Sequence, residues 1–306
     1  MILKERFIVP PFSILDSSKG YWQNKKNEWL SLGIKSEIGR DSSLTYKRCG
    51  DKDFVGLEIA KRGGNISIFD PVLCELMYKW FCPEKGKILD PFAGGSVRGI
   101  VAEKLGYKYT GVELRKEQVN SNNEQSKKIG VFPKWFVGDG RNVDKLVNES
   151  MFDMIFTCPP YFNLEVYSDL EEDLSNARSY DEFLEMYEEV INKSLGKLMY
   201  NRFFVIVISN VRDKNGFYLN LVGDTISIMK KYNVFLYNDV IFINPIGSLT
   251  LRVNKFFSEY RKLGKIHQNI LIFFKGADNS SIKVDFTKID FGGHNLNLSN
   301  FKKGLG

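Results

Sequence analysis

The chain has 306 residues, with 43 lysines and arginines against 37 aspartates and glutamates, and a formal net charge of +6. No run of about 18 apolar residues is present, which excludes a membrane-spanning helix, and the first residues lack the apolar core and cleavage site of a signal peptide. The two histidines and four cysteines include no C-x-x-C pair, which argues against a metal site and against a disulfide framework.

The charges are unevenly distributed along the chain. Ten acidic residues and one basic residue lie between positions 161 and 190, so the remainder carries 42 bases against 27 acids. Much of the acidic block has the pattern of a solvated helix face, because Ser179 can cap a helix whose first turn holds Asp181 and Glu182. A basic body of this kind suggests a polyanionic partner.

In chain order, residues 1–60 come first and are broken by prolines and glycines into short pieces. We expect them to form an N-terminal extension packed on or beside a main domain at 61–276, followed by a C-terminal extension at 277–306. From residue 87 onward, short apolar runs alternate with helical patterns, which is typical of an α/β domain with a doubly wound parallel sheet. The predicted strands are 87–90, 109–113, 135–137, 152–157, 203–209, 234–242 and 269–274, and the predicted helices are 96–105, 116–129, 180–200 and 219–232.

A glycine-rich turn, Asp90-Pro91-Phe92-Ala93-Gly94-Gly95, follows the first of these strands and opens a helix. Glycines let the backbone approach a ligand closely, and the helix N-terminus offers free N–H groups. Glu113 ends the next strand, where a carboxylate can bind a ribose diol, and Asp139 follows the third strand, where an adenine ring would lie. Three such features in order predict a ligand site at the carboxyl edge of the sheet.

A second motif, Cys158-Pro159-Pro160-Tyr161, follows the fourth strand. Two prolines make a rigid loop without backbone donors, so its carbonyl groups are fixed acceptors. The tyrosine that follows can stack on a base. A rigid carbonyl beside a stacking ring can hold an exocyclic amino group while its nitrogen attacks a methyl donor.

Together these motifs resemble those of the S-adenosylmethionine-dependent DNA methyltransferases that modify exocyclic amines, N6 of adenine or N4 of cytosine. The resemblance covers roughly residues 60–275 and implies a Rossmann-like seven-stranded sheet whose last strand is antiparallel. It implies S-adenosylmethionine as cofactor and direct in-line transfer to a base flipped out of double-stranded DNA. It assigns Phe69, Asp70, Asp90, Phe92, Ala93, Gly94, Gly95, Glu113 and Asp139 to cofactor binding, and Cys158, Pro159, Pro160 and Tyr161 to catalysis.

Cys158 departs from the family pattern, which usually has Asp, Asn or Ser at this position. A thiol is a weaker hydrogen-bond acceptor than their oxygen atoms. Its size is closest to that of serine, which is more typical of cytosine-N4 enzymes and favours that base slightly. A covalent nucleophile as in cytosine-C5 methyltransferases is not expected, because those enzymes place the cysteine after the proline. A buried residue without a chemical role remains the alternative for Cys158.

Contacts with nucleic acid are predicted for a loop at 244–265, where basic residues alternate with aromatic ones that can stack on bases. Its aromatic residues could instead belong to the core. The basic aromatic stretch 21–29 is a second candidate, although Trp22 and Trp29 are seven residues apart and can pack together on the domain. The loop 162–176 can close over the flipped base, and because its acidic residues would repel phosphate it is expected to contact the base side or a second subunit. The basic residues predicted to contact DNA are Arg252, Lys255, Arg261, Lys262 and Lys265.

The resulting expectation is a site-specific DNA methyltransferase, with a cytoplasmic location in a bacterium or encoded by a phage, and with neither a metal nor a membrane as partner. One alternative is an RNA amino-methyltransferase, although no RNA-binding module is recognisable. The other is a non-catalytic methyltransferase-like subunit that binds DNA, which only Cys158 favours. No separate recognition domain is evident, which is compatible with a homodimer that shares recognition.

Overall fold

The computed structural model describes residues 9–35, 69–149, 151–162 and 168–282. The strands in these ranges are β1 (Ile14–Asp16), β2 (Lys87–Asp90), β3 (Lys108–Glu113), β4 (Lys134–Val137), β5 (Phe152–Thr157), β6 (Leu198–Ile208), β7 (Phe235–Ile243) and β8 (His267–Lys275). The α-helices are α1 (Gly20–Leu30), α2 (Pro71–Phe81), α3 (Val97–Lys104), α4 (Lys116–Ile129), α5 (Val143–Leu146), α6 (Tyr180–Lys197), α7 (Leu221–Lys231) and α8 (Thr250–Tyr260).

All eight strands belong to one sheet, in the order β1-β7-β8-β6-β5-β2-β3-β4. β8 is antiparallel to both of its neighbours, and the other neighbouring strands run parallel. The predicted α/β class and the antiparallel last strand are therefore confirmed. The strand order reverses between β2 and β5, which places a topological switch point at the carboxyl ends of these two strands.

The predicted number of seven strands is wrong, because β1 forms an eighth strand at the edge of the sheet. β1 has three residues, too few to show an alternating pattern in the sequence. Its position comes from pairing with β7, where Ile14 lies opposite Ile241. The N–H of Ser17 extends the pairing by donating to the carbonyl oxygen of Ile243 at 3.0 Å.

The central strands have nearly continuous apolar sequences because helices cover both faces of the sheet. In β5, Met154 and Phe156 face a core shared with α2 and α3, whereas Ile155 faces a second core shared with α6. β8 alternates in the same way, with Ile270 in the first core and Leu271 in the second. This alternation determines on which face of the sheet each residue at the carboxyl edge lies.

The stretch 21–29 forms most of α1 and packs on α2. Trp22 and Trp29 are buried, and their indole N–H groups donate to the carboxylates of Asp70 at 3.2 Å and Glu75 at 2.7 Å. These two rings are therefore unavailable for stacking on bases. The division of the chain into a main domain with two extensions stays a prediction.

α8 lies within the segment 244–265, which the sequence predicted as a loop. That prediction is wrong, because residues 250–260 contain no proline or glycine and form three turns of helix. The helix ends at Arg261, whose φ of 54° places it in the left-handed region. α2 was also missed, although Asp70 caps it and Pro71 occupies its first turn.

Several predictions lie outside the described residues. They include the greater part of the C-terminal extension at 283–306, residues 1–8 and 36–60 of the N-terminal extension, and part of the loop 162–176, at 163–167. None of the helices within the described ranges is long and apolar enough to cross a membrane.

Candidate active site

A cavity of about 280 Å³ opens at the carboxyl edge of the sheet, above the switch point between β2 and β5. Ligands of open α/β sheets bind at this position. The cavity is lined by the glycine-rich turn, by the ends of β3 and β4, by the segment after β5 and by one residue of β8. Its lining residues include Phe69, Phe92, Gly94, Gly95, Arg98, Glu113, Asp139, Cys158, Pro159, Pro160, Tyr161, Asp173 and Gln268.

The glycine-rich turn is supported from beneath by a buried ion pair. Asp90 ends β2 with its side chain fully buried, and its carboxylate accepts hydrogen bonds from the Nε of Arg98, from the hydroxyl of Tyr109 and from that of Thr157. Burial lowers the pKa of Arg98, but the carboxylate of Asp90, together with the nearby Tyr109 and Cys158, raises that pKa above its ordinary value. The guanidinium is therefore charged, and it donates a further bond to the carbonyl oxygen of Phe92 at 2.6 Å.

Two of the residues predicted to bind the cofactor lie beneath the cavity and do not line it. The carboxylate oxygens of Asp90 are occupied by the partners just described. Ala93 is buried in the core, and its N–H donates to the carbonyl oxygen of Val112 at 2.9 Å. Both residues position the turn, and the surface of the turn within the cavity comes from Phe92, Gly94 and Gly95.

Phe69 and Asp70 are adjacent in sequence but have different environments. The ring of Phe69 lines the cavity, 4.6 Å from the guanidinium carbon of Arg98 and edge-on to Phe156 at 5.6 Å. The carboxylate of Asp70 lies outside the lining, where it caps the first turn of α2 and pairs with Lys26 at 3.1 Å. Asp70 therefore caps a helix, and its predicted contact with the cofactor stays a prediction.

Two carboxylates at the ends of β3 and β4 line the cavity. Glu113 accepts the N–H groups of Gly94 and Arg115, each at 3.0 Å. Burial raises the pKa of Glu113, although Arg115 and the two backbone donors act in the opposite direction. Asp139 accepts the N–H of Arg141 at 2.8 Å and its guanidinium at 2.7 Å. Both acids thus have fixed orientations at the surface of the cavity.

The backbone itself forms a cradle at this edge. Gly94 has a φ of +52°, and a Cβ built on it would meet only the guanidinium of Arg98, at 3.9 Å. A side chain at this position would therefore fill the cavity. A Cβ on Gly140, which follows β4, would lie 2.8 Å from the carbonyl oxygen of Pro91. Bare backbone at Gly94 leaves room for a ligand close to the end of β2, whereas at Gly140 it lets the chain after β4 pack closely on the glycine-rich turn.

All four residues of the predicted catalytic motif line the same cavity. The Sγ of Cys158 lies 3.8 Å from the hydroxyl oxygen of Tyr161. Phe162, which follows, has a φ of 43°, and its ring packs against Tyr180 and Phe183 at 5.7 Å each. Because the ring of Phe162 packs on α6, the chain turns towards this helix and Tyr161 lies at the wall of the cavity.

Sequence reasoning missed three contributions to the cavity. Arg98 lies eight residues after Asp90 and returns to it from the first turn of α3, a spacing that could have been noticed. The segment 172–174 was expected to contact the base side or a second subunit, and its residues form part of the wall of the cavity. The sequence does not indicate that Gln268 lines the cavity, because a single polar residue before an apolar strand is common.

The basic residues predicted to contact DNA follow β7 and therefore lie at the edge of the sheet where the cavity opens. Lys255 and Arg261 are exposed. Lys262 Nζ lies 5.1 Å from the ring centre of Tyr260, which is 62% exposed. Lys265 is half-buried, and burial followed by the nearby Arg212 lowers its pKa. Arg252 belongs to α8, and its side chain lies outside the described part of the chain.

A second basic and aromatic segment, residues 210–218, follows β6 at the same edge. The guanidinium carbon of Arg212 lies 3.9 Å above the ring of Tyr218, and Nζ of Lys265 lies 5.6 Å from the same ring. Phe217 is 73% exposed. The two segments thus form one continuous surface beside the cavity.

Residues 152–302 match the model of a protein family described as DNA methylase. The match covers just under half of the chain and begins with β5, the strand that precedes the catalytic motif. The resemblance drawn from the motifs is thereby confirmed, and the protein is a methyltransferase whose methyl donor is S-adenosylmethionine. The cradle at Gly94 and the carboxylates at the ends of β3 and β4 fit this donor, which carries an amino-acid part, a ribose and an adenine.

Among solved structures, the chain is similar to TrmN from Thermus thermophilus, with a TM-score of 0.45 and 13% identity over 68% of this chain and 49% of that one. It is similar to a methyltransferase from Pyrococcus furiosus, with a TM-score of 0.45 and 17% identity over 72% of this chain and 94% of that one. A third similar structure is that of an rRNA methylase from Streptococcus thermophilus, with a TM-score of 0.43 and 12% identity over 69% of this chain and 100% of that one. The chain thus spans about half the length of TrmN. No curated protein matches it.

Proposed function

We propose that the protein transfers a methyl group from S-adenosylmethionine to an exocyclic amino group in double-stranded DNA, N4 of cytosine or N6 of adenine. The observation that carries this proposal is the shared cavity. The glycine-rich turn and the carboxylates of β3 and β4 form one half of its lining, and residues 158–161 form the other. A donor in the first half and an amine in the second would be neighbours, and such positioning can supply a large part of a rate enhancement.

In the first half, S-adenosylmethionine when bound supplies an electrophilic methyl group. The oriented carboxylate of Glu113 would accept hydrogen bonds from the ribose hydroxyls, and that of Asp139 would accept one from the adenine amino group. The bare backbone at Gly94 would receive the methionine part, with Phe69 and Phe92 as apolar walls.

In the second half, the carbonyl oxygen of Pro159 would accept a hydrogen bond from the target amine and stabilise the positive charge that develops on its nitrogen. Tyr161 would stack on the base, which must leave the duplex to reach the cavity. The amine nitrogen would form its bond to the methyl carbon as the bond between that carbon and the sulfonium sulfur breaks, so that S-adenosylhomocysteine leaves and the nitrogen loses a proton to the solvent. Cys158 contributes only a weak acceptor, and its serine-like size favours cytosine over adenine.

The surface formed by α8 and residues 210–218 supports DNA as the substrate. Lysine and arginine side chains beside the cavity suit contacts with phosphates, which provide most of the sequence-independent affinity. The exposed rings of Phe217 and Tyr260 suit stacking on a nucleotide displaced from the duplex. We further propose residues 61–276 as the catalytic domain, and a homodimer as the form that shares recognition of a specific site.

The test uses purified protein, unmethylated genomic DNA and labelled S-adenosylmethionine, followed by hydrolysis of the DNA and mass spectrometry of its nucleosides. We expect labelled N4-methylcytosine or N6-methyladenine, and the same reaction with a total RNA preparation should give no labelled methylated nucleoside. Binding of S-adenosylmethionine without any methylated base in DNA would overturn the proposal.

A further inference from the structure

Gln268 is the one residue of β8 that lines the cavity in the described part of the chain. We propose that its side-chain amide binds the flipped base and supplies the second acceptor for the target amine, which the thiol at Cys158 cannot provide. This inference rests on the proposed function, since it concerns the base-binding half of the same cavity. Three observations support it: the position of Gln268 at the edge, its face of the sheet and the state of its amide.

The position follows from the direction of β8. Because β8 runs antiparallel to β6, its first residues lie at the edge where β5 and β6 end, and Asn269 pairs with Ile208, the last residue of β6. Gln268 is one position further out, paired with Phe242 of β7. It therefore lies beside the segment that follows β5 and carries the catalytic motif, on the side opposite the glycine-rich turn.

The face of the sheet on which Gln268 lies follows from the alternation of side chains along β8. Ile270 and Ile272 pack in the core shared with α2 and α3, so Gln268 lies on that face of the sheet. Cys158 packs against the same core. On this face the strand between them, β6, has Val207 at the level of Cys158, and the small Ser209, which follows β6, at the level of Gln268. Gln268 and Cys158 thus approach the cavity from the same face, and only the small side chain of Ser209 stands beside Gln268.

The side-chain amide of Gln268 makes no hydrogen bond to any described residue, although it is half-buried in the wall of a cavity. An amide at this position can bind a ligand that enters the cavity. Adenine presents the N6 amino group beside N1, and cytosine presents the N4 amino group beside N3. The amide oxygen can accept from the amino group while the amide NH₂ donates to the ring nitrogen. This two-point contact fixes the direction of the amine towards the methyl donor.

The experiment measures methyl transfer to DNA and binding of S-adenosylmethionine for a set of matched variants. Gln268→Met removes both polar groups at nearly constant volume, and we expect kcat to fall about 10- to 100-fold with the dissociation constant of S-adenosylmethionine unchanged. Asn269→Leu is the control. Asn269 lies next to Gln268 on the other face and donates to Asp239 at the surface, so its loss should leave kcat unaltered.

The link to Cys158 is tested by a double-mutant cycle with Cys158→Asn, which restores an amide oxygen beside Pro159. In that background, the loss caused by Gln268→Met should shrink to less than about threefold, because two acceptors serving one amine are coupled. An equal loss in both backgrounds would overturn the shared role, and so would a Gln268→Met variant as active as the wild type. Both results leave the proposed function standing, whereas a wild type that methylates no DNA base overturns the two proposals together.

Discussion

The carboxylate of Asp90 and the guanidinium of Arg98 meet beneath the glycine-rich turn, with Oδ2 and Nε 2.5 Å apart and both side chains almost fully excluded from solvent. The second guanidinium nitrogen reaches the carbonyl oxygens of Phe92 and Ala93 at 2.6 and 2.9 Å. One side chain therefore binds the end of β2 to the first residues of the turn, and the orientation of the cofactor cradle depends on it.

Arg98→Met is expected to lower the free energy of unfolding by about 3–5 kcal/mol, because it leaves the carboxylate of Asp90 buried without its charged partner. The affinity for S-adenosylmethionine should fall with it, as the turn loses its support. Chemical denaturation and calorimetric titration measure the two effects. The double variant Arg98→Met with Asp90→Asn should recover part of the stability, and Lys104→Met at the exposed end of the same helix is the control. A loss of stability equal to that of Lys104→Met would contradict this account.

The affinity for S-adenosylmethionine should weaken as the pH falls through the raised pKa of Glu113, because protonation removes the charged acceptor proposed for the ribose. The loss should begin at a higher pH than for an ordinary glutamate, since burial raises this pKa. The contribution of Glu113 to the stability of the free protein should instead increase as the pH falls. A raised pKa in the folded state contributes stability at low pH, and that contribution is lost as the pH rises through it. Titrations across the acidic range measure the affinity, and Glu113→Gln should bind weakly with a flat profile.

Removal of three basic side chains, in a Lys255→Ala, Arg261→Ala and Lys262→Ala variant, should weaken DNA binding and reduce its dependence on salt. Each phosphate contact that is lost should reduce the slope of log affinity against log salt concentration by about 0.9. Fluorescence anisotropy with a DNA duplex at several salt concentrations gives this slope. Lys230→Ala, at the opposite edge of the sheet, provides the control, and an unchanged slope in the triple variant would place the DNA elsewhere.

Tyr161→Ala should lower kcat/KM for DNA about 5- to 150-fold, which corresponds to the loss of one base–aromatic stack. The affinity for S-adenosylmethionine should stay the same, because the ring belongs to the other half of the cavity. Tyr161→Phe keeps the stacking surface and removes only the hydroxyl near Cys158, so its activity should remain close to that of the wild type. Equal losses in the two variants would assign the effect to the hydroxyl and contradict stacking.

The strands of the central sheet could be predicted from the sequence because their apolar runs and carboxyl-end motifs are local. β2, β5 and α4 have the predicted bounds. The start of β6 was misplaced by five residues, since Leu198 to Arg202 continue the pattern of the preceding helix. β1 and the pairing of its three residues depend on a partner more than two hundred residues away, which no local pattern reports.

The motif residues of the cavity could be found from the sequence, but the direction of their side chains could not. The positions of Asp70 and Asp90 before a helix and a turn are compatible with ligand contact and with internal capping. The three-dimensional arrangement of Lys26, Arg98 and Thr157 shows the internal contacts of both carboxylates, which the sequence alone does not indicate. Gln268 is brought to the site by an antiparallel strand from the far end of the domain, so its role depends on topology alone.

The pairing of Ile14 with Ile241 has a consequence for the synthesis of the chain. The ribosome makes β1 first, but the strand beside which it lies is complete only when residue 243 has been added. Contacts between such distant residues require closure of a long loop and are slow to form. β1 is therefore made before the strand that it joins and is among the last strands to reach its position, since the edge that it covers is formed only when β7 has been translated.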